Sequence, residues 1–133
     1  LGSEDVSSYV LIVDDDADLS ETLARLLRRF GHTCLVAASG SEAIDLIDVA
    51  SPDLVVTDLH MPGLDGLAVA RQARQKSPPI PVVLMTAYPT TGARREGGIL
   101  HLAKPFANAD MLDAVARALG SRKSVTDQER DGT

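Results

Sequence analysis

The sequence predicts an α/β domain: a parallel sheet with helices on both faces. Three observations carry this. Short apolar runs rich in β-branched residues recur five times between Tyr9 and Ala103, and segments with apolar residues at helical spacing separate most of them. The runs are almost continuously apolar rather than alternating, which suits strands buried on both faces. The chain has 133 residues, enough for a single core.

The elements follow in order. Tyr9-Val10-Leu11-Ile12-Val13 reads as the first strand and ends on Asp14-Asp15-Asp16. Leu19, Leu23, Leu26, Leu27 and Phe30 then mark a helix face, Asp16 caps that helix, and Gly31 stops it. Thr33 to Ala38 is the second strand. Ser39 and Glu42, three apart, form a capping box for a helix whose face holds Ala43, Ile44 and Ile47 and which ends at Ser51-Pro52. Leu54 to Thr57 is the third strand, with Asp58 at its end. Leu67 to Arg74 is a third helix. Pro81 to Thr86 is the fourth strand, and Ile99 to Ala103 the fifth. A last helix has Asn108 as its N-cap, shows a face of Leu112, Val115, Ala116 and Leu119, and ends at Gly120. The domain thus spans 9–120. Residues 1–8 are a tail in which Leu1-Gly2-Ser3, lacking an initial Met, reads as a cloning remnant. Residues 121–133 are polar without apolar periodicity and read as a solvated tail or linker. No internal repeat is present.

Composition narrows the function. The net charge of −6 and an aromatic content of 3% with no Trp oppose nucleic-acid binding by this domain, which needs phosphate-neutralising charge and stacking rings. No apolar run reaches membrane-spanning length, and no secretory signal opens the chain. The single cysteine, Cys34, allows no disulfide framework and points to a reducing, cytoplasmic setting and to core packing.

The polar residues fall in one place. Ligands of a parallel sheet bind at the carboxyl ends of its strands. Asp14, Asp15 and Asp16 follow the first strand, Asp58 ends the third, Thr86 ends the fourth, and Lys104 follows the fifth. A cluster of carboxylates needs a cation, and oxygen ligands suit Mg²⁺. A carboxylate beside Mg²⁺ and an ammonium stays ionised and can act as a nucleophile toward phosphorus.

With LIVDDD, VVTDLHMPGLDG, VVLMTA and AKPF in that order, spread over Val10 to Gly120, the chain resembles the receiver domain of bacterial two-component response regulators. The resemblance implies a flavodoxin-like sheet of strand order 2-1-3-4-5. It implies that Asp58 accepts a phosphoryl group from a histidine kinase or histidine phosphotransfer protein. Asp14, Asp15, Asp58 and the backbone carbonyl of His60 would hold Mg²⁺, or Mn²⁺ in its place. Lys104, followed by a cis bond to Pro105, would bind phosphate. Thr86 and His101 would form the switch, with His where Tyr or Phe is more usual. The bulky pair His60 and Tyr88 would flank the path of the hydrolytic water and slow self-dephosphorylation. The domain is then a signal relay rather than an enzyme of metabolism.

Each residue has a plainer reading. Asp14 to Asp16 could merely cap a helix, but a cap does not explain three acids. Asp58 could be a turn residue, yet it stands level with the other acids. Thr86 and Lys104 gain meaning only from the constellation, and His101 could be an exposed strand residue. His32 reads as an exposed turn residue, and Arg94-Arg95 as a solvated face. Two other classes fit less well. An Asp-nucleophile phosphatase would use Asp14-Asp15-Asp16 but leaves Asp58 idle. A flavodoxin-like electron carrier would need a hydroxyl- and Gly-rich loop where the acids stand. A degenerate receiver that binds partners without phosphorylation is opposed by the complete set of site residues.

One departure stands out. Only 18 positions separate Thr86 from Lys104, about one helical turn fewer than in similar receivers. Pro89, Gly92, Gly97 and Gly98 fall in that stretch, so the expected fourth helix is short, irregular or mobile over 87–98.

Overall fold

In the computed structural model, which describes residues 8–87 and 97–131, five parallel strands form one sheet in the order β2-β1-β3-β4-β5. The strands are β1 (Tyr9–Val13), β2 (Thr33–Ala37), β3 (Leu54–Asp58), β4 (Val82–Thr86) and β5 (Ile99–Ala103). The helices are α1 (Ala17–Arg29), α2 (Gly40–Ala50), α3 (Gly66–Arg74) and α4 (Asn108–Asp131). The flavodoxin-like fold and its strand order are thus as expected.

The sheet is buried on both faces because its strands are apolar at nearly every position. Val10, Ile12, Leu54, Val56, Val83 and Met85 point to one side and pack with Leu23, Ala24 and Leu27 of α1 and with α4. Leu11, Val13, Val55, Val82 and Leu84 point to the other and pack with Ala43 and Ile47 of α2 and Val69, Ala70 and Ala73 of α3. Cys34 is buried in the first of these cores, as expected. Asp53 ties the starts of β1 and β3 together, since Tyr9 N–H donates to its Oδ2 at 2.8 Å.

Local rules account for the helix starts. Asp16 Oδ1 accepts from the N–H groups of Asp18 and Leu19 and caps α1. Ser39 Oγ accepts from Glu42 N–H at 3.1 Å, and Glu42 Oε1 reaches back to Ala38 N–H at 2.8 Å. That return bond takes Ala38 out of the ladder, so β2 stops at Ala37. Asp65 caps α3 through Ala68 N–H.

Several expectations need correction. Phe30 is 58% exposed, because it is the C-cap of α1 and has left the helical face that its spacing suggested. His32 is half-buried, with its Nδ1 enclosed. On α4 the buried face is Met111, Ala114, Val115 and Ala118, while Ala116 is exposed and Leu112 and Leu119 flank the seam. Small alanines let the helix approach the sheet closely, so the seam lies one residue round from the larger leucines. The helix also does not end at Gly120; it continues to Asp131. Gly120 lacks a positive φ, and no proline follows it to break the helix.

The fourth helix expected over 87–98, the side chain of Tyr88, the Arg94-Arg95 face and residues 1–7 of the N-terminal tail lie outside the described residues. Among the described residues no helix is long and apolar enough to cross a membrane.

Candidate functional site

Parallel strands bring their carboxyl ends to one edge, and that edge gathers the acids. Asp14 follows β1 and is 2% exposed; Asp58 ends β3 and is 8% exposed. Asp15, beside them, is exposed. One carboxylate oxygen from each of Asp14, Asp15 and Asp58 lies within 4.8 Å of the others. Lys104, just past β5, reaches across with Nζ 2.8 Å from Asp58 Oδ1 and 3.9 Å from Asp14 Oδ2. The Lys104–Pro105 peptide bond is cis.

The electrostatics are those of a crowded anionic site with one ammonium. Burial pushes the Asp14 carboxyl above the ordinary carboxylate range, and the nearby charges of Asp58 and Asp15 add to that. The Asp16 N–H, donating to Asp14 Oδ1 at 2.9 Å, and the charge of Lys104 oppose it. Asp14 Oδ2 is buried and accepts no hydrogen bond from the described residues. A buried carboxylate oxygen without a donor is costly unless a cation meets it. Three hard carboxylate oxygens, one from each of these acids, with Asp14 Oδ2 short of a donor, fit Mg²⁺.

The remaining predicted residues take distinct places. Thr86 is buried at the end of β4, and its carbonyl accepts from Lys104 N–H at 2.8 Å. This bond joins the chain carrying the ammonium to the strand carrying the hydroxyl. His60 lies exposed in the loop after Asp58. His101 is half-buried on β5 and lines a groove of about 350 Å³ with Leu100, Leu102, Asp110, Asp113, Ala114 and Arg117. None of Asp14, Asp15 and Asp58 lines that groove.

The structure adds residues that the motifs did not single out. Thr57 Oγ1 donates to the Asp58 carbonyl at 3.0 Å. Ser20 Oγ approaches the Asp14 carbonyl at 3.4 Å. Gly66 begins α3 so close to the Asp58 carbonyl and to Leu59 Cα that a Cβ there would collide with both. The Asp-Gly pair at 65–66 was the available signal for a close backbone approach. Thr57 looked like any β-branched strand residue.

The comparisons with known proteins point to one family. Residues 10–116 match the response regulator receiver domain. The DNA-binding transcriptional regulator NtrC of Klebsiella pneumoniae is 37% identical over 112 residues, covering 81% of this chain and 24% of NtrC. The response regulator MprA of Mycobacterium ulcerans is 38% identical over 128 residues, covering 93% of this chain and 55% of MprA. The receiver domain of the hybrid histidine kinase CckA superimposes with a TM-score of 0.73 at 31% identity, over 84% of this chain and 98% of that one. The chemotaxis response regulator CheY4 of Vibrio cholerae does so with a TM-score of 0.77 at 26% identity, over 86% and 100%. The chain thus spans 24% of NtrC and 55% of MprA.

Proposed function

This chain belongs to the response regulator receiver domain family, and from that premise we propose that it accepts a phosphoryl group on Asp58 from a phosphohistidine on a partner protein. It is a signalling domain, and the acceptor is its own side chain rather than a metabolite. The observation that carries the reading is the meeting of Asp58 Oδ1 with Lys104 Nζ at 2.8 Å, beside Asp14 and Asp15, in a pocket built from separate strand ends.

The chemistry follows from those groups. A carboxylate oxygen of Asp58 forms a bond to phosphorus as the bond from phosphorus to the donor's imidazole nitrogen breaks. The electron pair stays on that nitrogen, and the product is an acyl phosphate. Lys104 pairs with Asp58 Oδ1 at 2.8 Å before transfer and offers its ammonium to a phosphoryl oxygen afterwards. Thr86 supplies a hydroxyl donor from the end of β4, and His101 follows its movement as the second part of the switch. Asp14, Asp15, Asp58 and the carbonyl of His60 would hold Mg²⁺, which would supply positive charge for the phosphoryl oxygens. The donor is a histidine kinase or histidine phosphotransfer protein, met in the cytoplasm. The receiver occupies 9–120.

Asp58→Asn tests the reading, because it removes the nucleophilic oxygen with little change in volume. A small acyl phosphate with Mg²⁺ should label the parent, and the Asn variant should stay unlabelled while keeping its far-UV circular dichroism. Equal labelling of the folded variant would put the acceptor elsewhere.

A further inference from the structure

The buried polar residues of the described chain are Asp14, Ser20, Thr57, Asp58 and Thr86. Three of them belong to the proposed site. The other two are hydroxyls, and each is aimed at the backbone carbonyl of one of its buried acids, Thr57 at Asp58 and Ser20 at Asp14. The Thr57 bond is the better formed, at 3.0 Å against 3.4 Å.

Thr57 is wholly buried in a strand that pairs with β1 on one side and β4 on the other. Its neighbours along β3, Leu54, Val55 and Val56, are apolar and equally buried. Valine has nearly the same shape and is the common choice for such a strand. A hydroxyl there loses its water and must find an acceptor. The acceptor it finds is the carbonyl of the next residue, Asp58.

The first residue of α3 packs on the same carbonyl. Gly66 presses against it with no room for a side chain, and Gly66 N–H donates to the Leu59 carbonyl at 2.8 Å. The peptide unit after Asp58 thus accepts from the Thr57 hydroxyl at its carbonyl, donates from Leu59 N–H to the Met85 carbonyl at 2.9 Å, and packs against the first residue of α3. The orientation of that unit sets ψ of Asp58 and so the direction in which the strand ends and the loop leaves. The Asp58 carboxylate has to meet both Lys104 and the incoming phosphorus from that backbone. We propose that Thr57 is a positioning residue for phosphoryl transfer, acting through the Asp58 carbonyl. This rests on Asp58 being the acceptor.

The test compares Thr57→Val, which keeps the shape and loses the hydroxyl, with Thr57→Ser, which keeps the hydroxyl. Both are labelled with a small acyl phosphate at saturating Mg²⁺, with rates normalised to the folded fraction from circular dichroism. Misplacement of a reacting group by a fraction of an ångström slows a reaction without removing its parts. Thr57→Val should lower the maximal labelling rate by about tenfold at an unchanged half-saturating donor concentration. Thr57→Ser should return the rate to within about twofold of the parent. Should the valine variant fail to fold, Thr57→Ala takes its place and is read the same way. Labelling of the hydroxyl-free variant at the parent rate, or equal slowing in the serine variant, overturns the inference. Asp58→Asn run alongside separates the two readings. If it labels, the acceptor assignment fails. If it does not label while Thr57→Val labels normally, only the role of Thr57 fails.

Discussion

His32 shows what a single residue costs the fold when its environment is not the one its neighbours suggest. Gly31, with φ of +96°, turns the chain after α1, and a histidine just past such a turn would ordinarily face water. Here the imidazole is half-buried and its Nδ1 accepts no hydrogen bond from the described residues. Burial lowers its pKa from the ordinary 6.5. The sign follows from linkage. The unfolded chain binds a proton at higher pH than the folded one, so stability is whole above the unfolded value and is lost as pH falls from there through the folded value. His32→Gln cannot take up that proton. The parent should therefore lose stability relative to His32→Gln as pH drops from about 7 to about 5, and urea midpoints measured across that range check it. A constant difference between the two proteins would mean the imidazole titrates alike in both states.

At the scale of elements, the strands were legible because five short apolar runs have few other ways to be buried. Two caps were legible too, since Asp16 and the Ser39–Glu42 pair follow simple donor arithmetic, whereas Asn108, expected as a cap, is the first residue inside α4. Faces and ends were less so. Periodicity counted Phe30 into α1, but the helix had already ended there. On α4 it favoured the larger Leu112 and Leu119, whereas close packing against the sheet selects Ala114 and Ala118. Gly120 was read as a stop because glycine commonly terminates helices in the left-handed region. In the structure it has no positive φ, and the helix passes through it. The two readings predict opposite signs for Gly120→Ala. A Cβ at this exposed position meets nothing within 4 Å, and alanine in a helix interior is favoured over glycine by up to about 1 kcal/mol. The variant should thus be more stable by roughly that amount in chemical denaturation. Destabilisation would return the helix end to Gly120.

Across the whole molecule the site is a product of topology. Asp14, Asp58 and Lys104 are far apart in sequence and meet because β1, β3 and β5 run parallel and end together. Their residue types could be read in the motifs; the Asp65-Gly66 pair signalled only a close backbone approach, and Thr57 gave no signal, because the roles of Thr57 and Gly66 exist only once α3 folds back onto β3. Such a site opposes its own fold when no cation is present. The charges of Asp58 and Asp15 bear on a buried Asp14 whose Oδ2 lacks a donor. Asp14→Asn removes one charge from this cluster. In chelator, it should raise the melting temperature by a few degrees, about what 1 kcal/mol achieves in a domain of this size. Mg²⁺ should reverse the ranking. A ligand that binds only the folded state at a hundred times its dissociation constant stabilises by about 2.7 kcal/mol, and that gain belongs to the protein with the full oxygen set. Thermal melts of both proteins, with chelator and with Mg²⁺, give four values whose order is the test. The parent should be the less stable of the two without metal and the more stable with it. If Asp14→Asn gains as much from Mg²⁺ as the parent does, Asp14 is not among the ligands.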